Sequence, residues 1–253
     1  MKKGIGILSI MLVCIMALSL AACGEKQQTM KSVDNSDEVK LAAQQESEKE
    51  ARAIAEEFME KVRELNFKDA KSYVTAESGL EDWDGATGRD TIKEYLRSSI
   101  GLLPDGTPQN IIDKFDAWCA NTSDKMIAMV SYTIDDVKCT EENKAVVKGT
   151  LSFKDLGNIG SILAGIDFDG LSKDVMDEFY KSEKVNENSS QEEMLDVYVD
   201  IMLPKLEAKI LDGLKNTDTK TNEFELVMRK NNEKWSIIAE ESTGLNTLGK
   251  VSE

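Results

Sequence analysis

Apolar residues in this chain recur at two different spacings, and the spacing switches along its length. From residue 47 to about residue 119 they repeat every three to four positions, the period of an amphipathic helix. Residues 131–154 then alternate apolar and polar, the period of a strand. Residues 157–215 return to the helical period, and residues 223–241 return to alternation. A helical stripe laid out as a strand points its apolar groups to both faces, so each block is restricted to one kind of element. Helices set apart from a small antiparallel sheet make an α+β fold, with a helical insertion over about 157–215 between its strands.

Local signals sharpen the map. Ser47-Glu48-Lys49-Glu50 reads as a capping box, with Ser47 at the N-cap of a helix carrying Ala51, Ile54, Ala55, Phe58, Met59, Val62 and Leu65. Phe67, Ala70 and Tyr73 continue it after a bend, and Asp90-Thr91-Ile92 opens another short helix. Thr107-Pro108 predicts a third helix, with Thr107 as cap and Pro108 at the first helical position, bearing Ile111, Phe115, Trp118 and Cys119. Residues 120–130 stay ambiguous between elements. "SYTIDDVKCTEENKAVVKGTLSFKDL" predicts two strands around Glu141-Glu142-Asn143. Ser190-Gln191-Glu192-Glu193 is a second capping box, and Pro204 is expected to kink or divide the helix it opens. Asn231-Asn232 marks a closing hairpin, because Asn tolerates positive φ.

The first residues are of another kind. Met1-Lys2-Lys3 is a short basic start, and Gly4–Ala22 is almost free of polar groups. That is the layout of an export signal over residues 1–22. Its 19 residues approach the roughly 20 needed to span a bilayer, so an uncleaved anchor is the alternative. The run ends in Leu20-Ala21-Ala22-Cys23, which resembles the lipobox of bacterial lipoproteins. The resemblance implies that Leu20, Ala21 and Ala22 are read by the signal peptidase and that Cys23 becomes the new N-terminus. Its thiol would carry a diacylglycerol, the one attached group expected, with no other cofactor. Two acyl chains hold a protein on a bilayer stably, at about 0.8 kcal/mol per buried methylene. Residues 23–46 then read as a lipidated Cys followed by a flexible tether, whose coil dimension is roughly 25 Å and whose extended limit is about 80 Å. The folded domain would run from residue 47 to 245, with a tail at 246–253.

Composition excludes several functions. The formal charge is −16, and losing residues 1–22 removes two lysines and no acids, which brings it to −18. Such a chain is not expected to bind nucleic acid, because phosphate neutralisation needs Lys and Arg. It contains no histidine, which removes Ser-His-Asp and Cys-His catalysis and His-ligated metals. Of four cysteines, Cys14 leaves with the signal and Cys23 is the lipid site. Cys119 and Cys139 remain, either as a disulfide or as two separate thiols.

Two stretches carry a family resemblance. "EARAIAEEFMEKVRELNFKDAKSYVT" resembles the opening helices of NTF2-like (cystatin-like) α+β domains, and "FELVMRKNNEKWSIIAEES" resembles their closing hairpin. The chain is similar to lipoproteins of Gram-positive bacteria that carry such domains. The resemblance implies helices packed on a curved antiparallel sheet around a cone-shaped cavity. It implies no single activity, because that fold hosts enzymes and binding modules alike.

The candidate sites are few. Tyr132, Asp135 and Asp136 lie on or near a strand, and NTF2-like isomerases and dehydratases use a cavity carboxylate with a tyrosine for proton transfer. Alternation, however, sends Asp135 and Asp136 to opposite faces. "GIDFDGLSKDVMDE" invites a calcium reading through Asp167, Asp169 and Glu178. Yet Leu171 and Ser172 occupy the fifth and sixth loop positions, where a ligand and Gly belong, so a turn capped by Ser172 is the simpler reading. "EDWDGATGRD" lacks the terminal Glu of such a loop. Trp83, Trp118 and Trp235 are candidates to line a cavity, Trp83 for ligand or partner contact and Trp235 as a core anchor. No metal site is expected. The expected function is a non-enzymatic binding or interaction module, lipid-anchored to the cell membrane on its extracytoplasmic side, with an envelope protein, peptide or small ligand as partner. The alternatives are a small isomerase- or dehydratase-type enzyme using Asp and Tyr, or an accessory subunit of a transporter or signalling complex.

Overall fold

The computed structural model describes residues 36–75, 89–101, 103–104, 106–155 and 158–245. Residues 41–253 gather into one compact unit, so the helical block belongs to the same body as the sheet. Helix α1 runs from Ser36 to Arg63. It therefore starts ahead of the expected cap, and residues 36–46, read as tether, are helical. Lys, Leu, Ala, Gln and Glu there are good helix formers. Because Val39 and Leu41 stay exposed, no apolar stripe announces the helix. From Ala51 onward the stripe is buried: Ala51, Ala55, Phe58, Met59 and Val62 are all fully inaccessible. The helix ends in a Schellman turn, with Leu65 at φ 54°, its N–H donating to the Val62 carbonyl and the Asn66 N–H to that of Lys61.

Short helix α2 (Phe67–Ala70), a 3-10 turn and strand β1 (Val74–Thr75) follow. Helices α3 (Arg89–Ile100) and α4 (Gln109–Ile127) form the next pair. Pro108 itself is the N-cap of α4, one residue later than expected, and the Thr107 hydroxyl donates to the Pro104 carbonyl at 2.6 Å instead. Strands β2 (Ser131–Glu141) and β3 (Lys144–Lys154) form the expected hairpin. The helical block comprises α5 (Ile159–Ala164), α6 (Phe168–Phe179) and α7 (Gln191–Lys215). Ser190 and Glu193 complete the expected capping box, while Pro204 lies inside α7 without dividing it. Strands β4 (Thr219–Asn231) and β5 (Lys234–Ile238) close the fold through Asn232 and Glu233, both at positive φ.

The sheet is open and five-stranded, in the order β1-β5-β4-β3-β2. It is mixed rather than purely antiparallel, because two-residue β1 pairs in parallel with β5. The inner face of β3 presents Ala145, Val147, Gly149, Leu151 and Phe153, all buried. These pair across with Met228, Leu226 and Phe224 of β4. Together with Phe58 and Met59 they fill the interior under α1. Between Ile134 and Asp136 the β2–β3 register slips by one residue at Asp135. Before this bulge Tyr132 and Ile134 pack on the core, and after it Val137 and Cys139 do. Without the extra residue, strict alternation would turn Asp136 and Lys138 into the core.

Side chains of α1 reach β2 and the closing hairpin. Arg52 Nη1 donates to the Ile134 carbonyl at 3.3 Å, and Glu48 Oε1 accepts from the Cys139 N–H at 3.1 Å. Glu50 takes hydrogen bonds from Lys230 Nζ at 2.5 Å and from Trp235 Nε1 at 3.2 Å. Trp235 is thus the core anchor expected of it, 3% exposed. No helix among the described residues is long and apolar enough to cross a membrane.

Candidate functional site

A cleft opens in the helical block. Helix α6 starts at Asp167, not Ser172, because the Asp167 carboxylate accepts from the Gly170 N–H at 2.9 Å. Leu171 and Val175 seat α6 against the core, and the Phe179 ring meets Tyr198 of α7 edge-on at 6.4 Å. Beyond Tyr180 the chain turns, with the Lys181 N–H on the Glu178 carbonyl and the Ser182 N–H on that of Phe179. A cleft of about 480 Å³ lies between this turn and the middle of α7. That size falls within the roughly 300–1,000 Å³ of small-ligand sites.

Charge in the cleft is sorted. Lys205 pairs with Glu178 at 2.9 Å. Asp200 is taken by Lys114 of α4 at 2.7 Å, which also holds Asp196 at 2.7 Å. Burial pulls the Lys114 ammonium down, but its hydrogen bonds to the two carboxylates outweigh this and hold it above the ordinary lysine value. Lys181 and Lys184 make no ion pair among the described residues, so the cleft carries two exposed cations without a direct partner on a strongly acidic protein. Val197, Ile201 and Pro204 form its apolar wall. Pro204 has no N–H, so the usual hydrogen bond to the Asp200 carbonyl four residues back is not made.

The arrangement can hold an anion beside an apolar group. Sequence reasoning missed it. The signals were present as Lys181 and Lys184, three residues apart in "KSEK", and as a proline inside a helical stripe.

The Asp and Tyr candidates go elsewhere. The Tyr132 hydroxyl donates to the Glu56 carbonyl of α1 at 3.2 Å. Burial raises its pKa, with Glu60 and Glu56 adding to the effect. Asp135 is exposed and accepts from Thr150 Oγ1 at 3.4 Å, while Asp136 pairs with Lys138 at 2.8 Å. Thr150 and Lys138 belong to the outer face, so the bulge turns both carboxylates outward, contrary to the alternation rule. Tyr132 faces inward, and the structure does not bring an acid–base pair together.

The calcium candidates separate as well. Asp167 caps one end of α6 and Asp169 lies in its first turn, whereas Glu178 lies near the other end, on Lys205. Among the described residues no three His, Cys, Asp or Glu side chains converge on a metal position. Cys119 on α4 and Cys139 on β2 are free thiols. Burial above all, with Asp116 nearby, pushes Cys119 up to about 11, and burial likewise raises Cys139. Trp118 is buried in a stack with Phe115, centroids 5.6 Å apart. Leu20, Ala21, Ala22, Cys23, Trp83 and most of "EDWDGATGRD" lie outside the described residues.

Compared with known protein families, characterised proteins and solved structures, the chain matches none.

Proposed function

We propose that this chain is a lipid-anchored module on the extracytoplasmic face of the cell membrane, binding an envelope partner without catalysing a reaction. The observation that carries the binding role is the α6–α7 cleft, with two lysines that make no ion pair among the described residues beside an apolar wall. The enzymatic alternative needs a carboxylate and a tyrosine on a common substrate, and here Tyr132 and the two aspartates face opposite sides of the sheet. An NTF2-like core is in keeping with the long α1 followed by short α2, and with a closing hairpin anchored by Trp235. The anchoring rests on Leu20-Ala21-Ala22-Cys23 at the end of the apolar run.

Two experiments test this. Cys23→Ala is expected to abolish labelling by a radiolabelled fatty acid and to leave unprocessed precursor, and undiminished labelling would refute the anchor. Cross-linking on intact cells is expected to trap a partner with the anchored wild type and to lose it in the Lys181→Glu/Lys184→Glu variant. The same cross-links in both would remove the cleft as the binding surface.

A further inference from the structure

We infer that polar side chains of α1 plug the outer side of β2, and that without these plugs β2 pairs with β2 of a second copy of the chain. Strand β2 is the last of the sheet, eleven residues long, with no proline and no fully buried residue. A strand of that kind is a template for another chain. Two copies of one edge meet antiparallel about a two-fold axis, so the pair closes and its product is a dimer.

Three contacts join α1 to this strand, one helical turn apart. Glu48 Oε1 accepts from the Cys139 N–H at 3.1 Å, and Arg52 Nη1 donates to the Ile134 carbonyl at 3.3 Å. The Tyr132 hydroxyl donates to the Glu56 carbonyl at 3.2 Å. Positions 48, 52 and 56 form one stripe of the helix, and their partners run 139, 134, 132, so α1 follows β2 in the opposite sense. Each plug carries the charge its target calls for, a carboxylate on an N–H and a guanidinium on a carbonyl. Glu56 stands 3.8 Å from Arg52 and helps to aim it. The two plugs lie on either side of the bulge at Asp135, and beyond that bulge only Asp136, Val137 and Lys138 separate them. The helix stays seated when the plugs are removed, because Ala51, Ala55, Phe58, Met59 and Val62 bury the neighbouring stripe.

The test is sedimentation velocity on the full chain in density-matched detergent over a concentration series, with hydrogen exchange of the β2 amides on the same samples. In the wild type, β2 exchange is expected not to depend on concentration. Glu48→Gln should behave alike, because its amide oxygen still accepts from the Cys139 N–H. Glu48→Ala/Arg52→Ala should self-associate at least about tenfold more tightly than the wild type, since two hydrogen bonds to charged groups no longer have to be broken first. Its Cys139 amide should exchange faster than in the wild type when dilute, and the β2 amides should become protected as the dimer forms. Circular dichroism checks that it folds. If it does not, the single variants Glu48→Ala and Arg52→Ala, each leaving one plug, decide the matter, with an intermediate gain in association expected of both. Folded variants that gain no association, a dimer whose β2 amides stay unprotected, or Glu48→Gln associating like the double variant would each overturn the inference. So would a wild type that already pairs through β2.

Discussion

Gly149 is the position where one added methyl group should cost the fold most. It lies in mid-β3, opposite Phe224 on one side and the β2 bulge on the other. A Cβ there would stand 2.5 Å from Phe224 Cζ and would overlap the Thr133 carbonyl oxygen. The ring can tilt, but the carbonyl is main chain held in a ladder. Overpacking of a tight core costs about 1–3 kcal/mol, and a backbone clash belongs at the top of that range, about 3 kcal/mol. Alanine restricts the unfolded chain and returns about 0.4–1 kcal/mol. Gly149→Ala should therefore lose about 2 kcal/mol net, which for a domain of this size lowers Tm by about 4–8 °C. Thermal unfolding followed by circular dichroism measures it. Gly165→Ala is the control, because its new Cβ meets only the Ser161 and Ile162 carbonyls, at 3.4 and 3.5 Å, and its φ is −86°. That variant should match wild type or exceed it slightly. Adding Phe224→Leu to Gly149→Ala removes the ring contact and not the carbonyl, so less than half of the loss should return. A Gly149→Ala protein within about 2 °C of wild type, or full rescue by Phe224→Leu, would refute the account of the bulge.

Hydrogen bonds from Lys230 first, and from Trp235, hold the Glu50 carboxyl below its ordinary value. A group whose pKa is depressed by folding stabilises above its unfolded pKa and loses that contribution as pH falls through the folded one. The Tm gap between wild type and Glu50→Gln should thus be full near pH 6 and close steadily below about pH 4.3, and a gap that widens with acid would contradict the pairing. With both thiols free, denatured non-reduced protein should expose Cys119 and Cys139 to alkylation. In native protein at about pH 8, half-buried Cys139 should react faster than Cys119. Protection of both in denaturant would demonstrate a bridge.

What could be read ahead of the structure was what neighbouring residues decide. The Ser190 capping box, the β2–β3 hairpin and the Trp235 anchor all follow from patterns a few residues long. The start of α1 escaped because residues 36–46 form helix by propensity, with no buried face to display it. The outward turn of Asp135 and Asp136 escaped for another reason. It depends on an extra residue in β2 and on room made by Gly149 in β3, a relation between strands that no single-strand pattern carries. A lone glycine inside an alternating run was its one local sign. The cleft depends on two lysines after α6 meeting a proline in α7, which only packing brings together.

The two borders of the sheet restrict how a partner is recruited. On one side β2 has its Ile134 carbonyl and Cys139 N–H occupied by Arg52 and Glu48, and its line is broken by a bulge. On the other side β1 offers two residues among those described. Along β2 an extended segment lying down as a sixth strand would meet those two side chains and the bulge. Recognition by strand addition there, and the chain-to-chain stacking that the same edge invites, would have to displace Arg52 and Glu48 from the β2 main chain. Helix α1 thus guards the edge of the sheet with the same side chains that tie it to the fold.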